Sequence, residues 1–145
     1  MHPYPHVYTV TAQGTPSGMV PVSAAGLPAL DTAPPPEFDG PGGVWSPESM
    51  LCAAVANCLV LTFRAIARAS KFEWLELACR TEATLERVAG TTRFTRFSSL
   101  ATIRLPAGGD AAKAKLLLEK SEHGCLVANS LTGERLLQVE VTHAP

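Results

Sequence analysis

The sequence predicts an α+β fold in which helices gather on an antiparallel sheet, and three observations predict it. The first is a long, almost uninterrupted apolar helix before the middle of the chain. The second is a pair of long stretches with alternating apolar and polar residues on either side of a tight turn. The third is the order of elements, β-β-α-β-β-α-α-β, which groups strands and helices rather than alternating them strictly. At 145 residues the chain reads as one domain, 1–145, with room for a real core. A hydrophobic share of 46% against 17% charged residues is generous for that length, and the surplus points to a partner chain.

Residues 1–33 are expected to hold two N-terminal strands. His6-Val7-Tyr8-Thr9-Val10-Thr11 is β-branched and aromatic, and Met19-Val20-Pro21-Val22-Ser23 follows the turn signals from Gly14 to Gly18. Pro21 lacks a ladder donor, which predicts an edge position for the second strand. Residues 34–46 are too rich in proline and glycine for regular structure, and the whole segment from Pro28 to Gly43 is expected to be a stiff loop.

The central helix is expected over 47–70. Ser46 is a good N-cap, Pro47 suits the first helical position because its missing N–H has no partner there, and Glu48 puts negative charge in the first turn. The chain is then apolar through Phe63 and becomes amphipathic only at Arg64 and Arg68, so the helix is expected to be enclosed on all sides, with Cys58 deep inside. The apolar run, about 15 residues, is shorter than the roughly 20 that span a bilayer.

A hairpin is expected over 74–105. Leu75, Leu77, Cys79, Thr81, Ala83 and Leu85 share one face, with Trp74, Glu76 and Arg80 on the wet face; Ala89-Gly90-Thr91 turns the chain, and Arg93–Leu105 returns. Residues 110–132 hold two helices, one capped by Asp110 and one opening at Cys125, before a final strand at 135–142.

Composition narrows the function classes. The net charge is −1, the pI is about 6.4 and no basic run occurs, so neither nucleic acid nor an anionic membrane is an expected partner. The N-terminus shows neither the positive nor the apolar region of a secretory signal, so the expected location is the cytoplasm. Cys52, Cys58, Cys79 and Cys125 are then expected to be reduced thiols, and their spacing fits neither a disulfide framework nor a zinc site. A buried free cysteine is usually a small hydrophobe, which is the reading for Cys52 and Cys79. Cys125, at a helix N-terminus, is expected to have a lowered pKa, whereas Cys58, mid-helix, has no such help.

Phe38-Asp39-Gly40-Pro41 leading to Trp45-Ser46-Pro47-Glu48, Cys58 ten residues after that Glu, and the block Cys125-Leu-Val-Ala-Asn-Ser-Leu occur in an order that resembles the OsmC/Ohr family of thiol-dependent hydroperoxide reductases. The resemblance runs from about Phe38 to Val141 and implies that Cys58 is the peroxidatic thiol and Cys125 the resolving one. It implies an oxidative-stress role, no metal or prosthetic group, and reduction by an external dithiol, in some members a lipoylated protein. It also implies an intertwined homodimer. Glu48 and Cys58 on one helix are roughly 15 Å apart, so a carboxylate acting on this thiol has to come from a second, antiparallel copy of the helix. The midpoint is Ala53, where Ala53, Ala54 and Ala56 allow close approach about a two-fold axis.

Phe38, Trp45, Leu51, Asn57 and Phe63 are candidate walls of an apolar substrate pocket, with Asn57 in need of a partner if buried. In one respect the chain departs from the pattern. The family carries an activating Arg on its N-terminal strands, but here no Arg or Lys precedes Arg64, leaving His2 and His6 as the only N-terminal side chains able to carry positive charge. Two functions remain open: a hydroperoxide reductase, or an OsmC-like dimer without that activity that binds a small apolar ligand or has another role.

Overall fold

The computed structural model describes every residue, Met1–Pro145. The chain divides into two compact units, Met1–Met50 and Leu51–Pro145.

The first unit carries a small antiparallel sheet, β1 (Thr11–Ala12), β2 (Val20–Ser23) and β3 (Leu30–Thr32), in that spatial order. The aromatic stretch from His6 to Val10 is outside it. β3 lies inside the segment expected to be loop throughout, and pairs Leu30, Asp31 and Thr32 with Val22, Pro21 and Val20. β2 is therefore the middle strand, against the edge position predicted from Pro21. The proline is tolerated because β1 stops at Ala12: the missing donor falls at the end of that ladder, where Pro21 still accepts from the Gln13 N–H at 3.2 Å.

The proline-glycine loop turns tightly through a 3-10 turn at Pro36–Phe38. A Cβ on Gly40 would lie 1.7 Å from the Pro34 carbonyl oxygen, so only glycine fits there. The unit ends on the capped start of α1 (Pro47–Ala69). The cap is reciprocal: Ser49 N–H donates to Ser46 Oγ at 3.1 Å and Ser46 N–H to Ser49 Oγ at 2.9 Å.

The second unit is a two-layer arrangement of helices on a three-stranded sheet, β4 (Glu76–Val88), β5 (Thr91–Leu105) and β6 (Glu134–His143), with β5 in the centre. β4 and β5 form the expected hairpin, and its turn residues Ala89 and Gly90 both take positive φ, as a two-residue hairpin loop requires. The sheet is not purely antiparallel. β6 runs parallel to β5 from Arg96↔Glu134 to Leu105↔His143, because α2 (Ala111–His123) carries the chain back to the starting edge before β6 begins. Asp110 caps α2 as predicted, accepting from Lys113 N–H at 2.9 Å.

The core consists of Leu59, Phe63 and Ala67 of α1, Ala101, Ile103 and Leu105 of β5, and Ala114, Leu117 and Leu118 of α2. Leu77 and Cys79 of β4 pack on it as the alternation predicted. Trp74 does too, against its predicted wet position: it precedes the strand, so the alternation does not bind it, and its ring meets Phe63 edge to face at 5.3 Å. Within the second unit α1 is not enclosed on all sides. Only Val55, Leu59, Phe63 and Ala67, one helical stripe, are buried, while Leu61 is 49% exposed. Its 23 residues, with mean hydropathy 1.9 over the most apolar window, reach the length and composition of a membrane-spanning helix. The sequence estimate was shorter because it stopped at Arg64, although Ala65, Ile66, Ala67 and Ala69 continue the apolar run.

Candidate functional site: a thiol pair on the second unit

Cys58 sits mid-way along α1, half-buried rather than deep. It opens on a recess of about 560 Å³ walled by Ala54, Leu61 and Ala65 of the same helix and by Leu126 and Val127, with Asn57 at its edge. Asn57 is exposed, so its amide needs no protein partner. Cys125 is 2% exposed and lies near enough to Cys58 for each thiol to shift the acidity of the other.

Local backbone geometry brings them together. α2 ends at Gly124, and no helix opens at Cys125: the chain turns through Leu126 and Val127 and makes only a 3-10 turn at Ala128–Ser130. Asn129 N–H donates to the Cys125 carbonyl at 2.9 Å, closing the turn. Leu126 and Val127, outside any helix, wall the same recess as Cys58, and their amides favour its thiolate.

This inverts the acidities expected from sequence. Burial opposes ionisation of Cys58, but hydrogen-bonding support from the Val127 amide, the Cys125 thiol, the Thr62 hydroxyl and the Leu126 amide holds its pKa below the ordinary thiol value. Thr62 Oγ1 is 3.9 Å from Cys58 Sγ. Cys125 is pushed up to about 11, by burial first and then by its hydrogen bond to Cys58 and the charge there, against smaller help from Ala128 N–H and the Arg135 charge. Sequence reasoning placed the turn's amides on the cysteine that precedes them, whereas they serve the cysteine on the facing helix. Burial likewise raises Cys52 and Cys79, consistent with packing roles.

Arg135 of β6 is the cation beside this pair, and sequence reasoning missed it. Its Nε donates to Glu122 Oε1 at 2.6 Å, its Nη1 to Asn129 Oδ1 at 2.7 Å, and its Nη2 to the Glu122 carbonyl. Nothing in its strand position marked it, since the contact is made across the sheet's end to α2. Thr62 was legible, four residues after Cys58 on one helix face.

Glu48 and Phe38 line a separate apolar recess of about 490 Å³ within the first unit, together with Val20, Pro34, Pro35 and Met50. Glu48 Oε2 is buried there without a hydrogen-bond partner. Trp45 is 45% exposed and lines neither recess. Leu51 is half-buried and lines neither. Phe63 is fully buried core, because its position continues the Val55–Leu59 stripe rather than the Cys58 stripe.

A half-buried thiol of lowered pKa and a buried thiol of raised pKa therefore stand near one another on a helix-backed three-stranded sheet. The profile described as OsmC-like protein matches residues 40–140, and the chain belongs to that family. The chain is 28% identical over 111 residues to the uncharacterized protein YmaD of Bacillus subtilis strain 168, covering 74% of each. Its fold matches an OsmC-like protein of unknown function from Vibrio cholerae with a TM-score of 0.83 at 14% identity, over 92% of this chain and 99% of that one. It also matches an organic hydroperoxide resistance protein, OsmC, from Legionella pneumophila at TM-score 0.68 and 24% identity, over 94% and 97% respectively.

Proposed function

We propose that this chain is a thiol-dependent peroxidase that reduces organic hydroperoxides, with Cys58 as the peroxidatic and Cys125 as the resolving thiol. The observation that carries the reading is that half-buried Cys58 opens on an apolar recess with buried Cys125 near it, the first thiol made more acidic and the second less. The Cys58 thiolate attacks the distal peroxide oxygen; the S–O bond forms, the O–O bond breaks, and the alkoxide leaves with a proton as the alcohol. Cys125 sulfur then attacks the Cys58 sulfenic acid, the S–S bond replaces the S–O bond, and the departing hydroxide takes the Cys125 proton to give water. An external dithiol, such as a lipoylated protein, restores both thiols. No metal or bound cofactor is required by these steps.

The apolar wall of the Cys58 recess favours organic hydroperoxides over hydrogen peroxide. The amides of Leu126 and Val127 do the work for which no N-terminal arginine is present. We assign the working form to a homodimer, because α1 leaves an apolar face open and Glu48 has a buried oxygen without a partner; the reduced thiols the reading needs suit the cytoplasm. In that dimer Glu48 of the second copy approaches Cys58.

Reduced protein mixed with stoichiometric cumene hydroperoxide should lose peroxide and two thiols per chain, Cys58→Ser should lose neither, and Cys125→Ser should stop at a trappable sulfenic acid. Peroxide consumption no faster than that of a free thiol refutes the reading and leaves a non-peroxidatic family member that binds a small apolar ligand.

A further inference from the structure

Three features lie outside the steps just derived. The polar recess around Lys71 and Lys113 is a solvated surface with nothing to mark a ligand, and the Glu48 recess belongs to the interface already assigned. The third is Arg135. We propose that Arg135 is the positioning residue of the resolving step: it clamps the turn carrying Cys125 to the sheet from both sides and so sets how fast Cys125 closes on an oxidised Cys58. The inference rests on the reading of Cys125 as the resolving thiol.

The geometry is that of a fork gripping the turn on either flank of the cysteine. Glu122, three residues before Cys125, gives Arg135 both its carboxylate oxygen, at 2.6 Å, and its main-chain carbonyl. Asn129, four residues after, gives its side-chain oxygen at 2.7 Å. The same Glu122 carbonyl accepts from Cys125 N–H at 3.2 Å, so Arg135 and Cys125 hold one atom in common. Asn129 ties the turn once more, donating from Nδ2 to the His123 carbonyl at 3.0 Å. The base of the fork is fixed, because Arg135 stands in β6 opposite Phe97 of the central strand.

A surface ion pair would do little of this. Here the two side chains are only 24% and 21% exposed and the contact is a multidentate guanidinium grip, which fixes direction as well as distance. The charged and titratable groups near Cys125 are Cys58 from α1, Glu122 and His123 from α2 and Arg135 from β6; His123 is exposed, 3.8 Å from the Glu122 carboxylate, whereas Arg135 lines the same small cavity as Cys125. Closure needs a Cys125 thiolate, and the Arg135 charge beside it favours it.

The closing step can be read without peroxide, which separates this inference from the peroxidase reading. The reagent is 5,5′-dithiobis(2-nitrobenzoic acid), an aromatic disulfide. Cys58 thiolate attacks it, releasing one thionitrobenzoate and leaving a mixed disulfide. Cys125 thiolate, its proton lost to solvent, then displaces the second thionitrobenzoate with the S–S electron pair and forms Cys58–Cys125. The second phase is identified by its disappearance in Cys125→Ser, in a background carrying Cys52→Ala and Cys79→Ala.

Arg135→Gln should leave the first phase within about threefold of wild type, slow the second on the order of tenfold or more, and move its pH dependence upward. Arg135→Lys, which keeps the charge and loses the fork, should recover the pH dependence but not the rate. A second phase in Arg135→Gln that matches wild type in rate and pH dependence overturns the proposal, as does equal slowing of both phases, which would mark general loosening. Should Arg135→Gln not fold, Asn129→Ala removes one tooth of the fork; it should slow the second phase alone, and a wild-type second phase overturns the proposal.

Discussion

Cys125→Ala removes the thiol that helps to lower the Cys58 pKa, so it should raise the pH at which Cys58 alkylates. The sign follows from the pair: with its pKa lowered, Cys58 is already thiolate below the pH where an ordinary thiol ionises, and each donor lost moves that transition up. Cys125, at about 11, stays a donor through the neutral range. Iodoacetamide rates against pH, read at Cys58 by mass spectrometry, check this; an unchanged profile in Cys125→Ala refutes the donor role. Gly40→Ala should destabilise the first unit by several kcal/mol, on the order of 3, because the added carbon meets the Pro34 carbonyl at 1.7 Å, measured as early thermal or proteolytic loss of that unit. The two cysteines were legible from residue type and spacing, whereas Gly40 was one of several glycines in a loop until its contact with Pro34 was seen. Which cysteine is the acidic one was not, because that depends on where two free N–H groups point after a turn, and a sequence shows the turn but not its direction.

Elements with long periodic patterns were legible, and short or crossing ones were not. α1, the hairpin and the Asp110-capped α2 stand where alternation and caps put them, since many residues vote for each. β3 is three residues between prolines, too short to show alternation, and is made by pairing with β2 rather than by its own preference. The direction of β6 is a property of the connection, not of the strand: a crossover helix long enough to span the sheet's face allows parallel pairing, and the strand's residues read the same either way. α2 is the element that closes this crossover, and Leu118 on its inner face is fully buried. Leu118→Ala should therefore cost about 2–5 kcal/mol, read by chemical denaturation, and a cost below about 1 would mean that α2 does not pack on the sheet as described.

At the scale of the whole molecule the open question is what covers α1, whose stripe through Cys58 and Leu61 is apolar and bare while the stripe through Leu59 and Phe63 is packed. Burying such surface is worth about 25 cal/mol for each Å², so a second copy is favoured strongly where two helices can approach, and the alanines around Ala53 permit that. The protein should sediment at twice 15.3 kDa, and Ala53→Arg, which puts a long cation at the crossing point, should sediment as a single chain. The shared site gives a sharper test. Co-expressed Glu48→Gln and Cys58→Ser chains form a mixed dimer in which one site combines the intact Cys58 of the first with the intact Glu48 of the second. With random pairing, activity should return to about one quarter of wild type, since half the dimers are mixed and each regains one site of two. If Glu48 acts on the thiol of its own chain, co-expression restores nothing, and the antiparallel pairing of the helices is wrong even if the protein is a dimer.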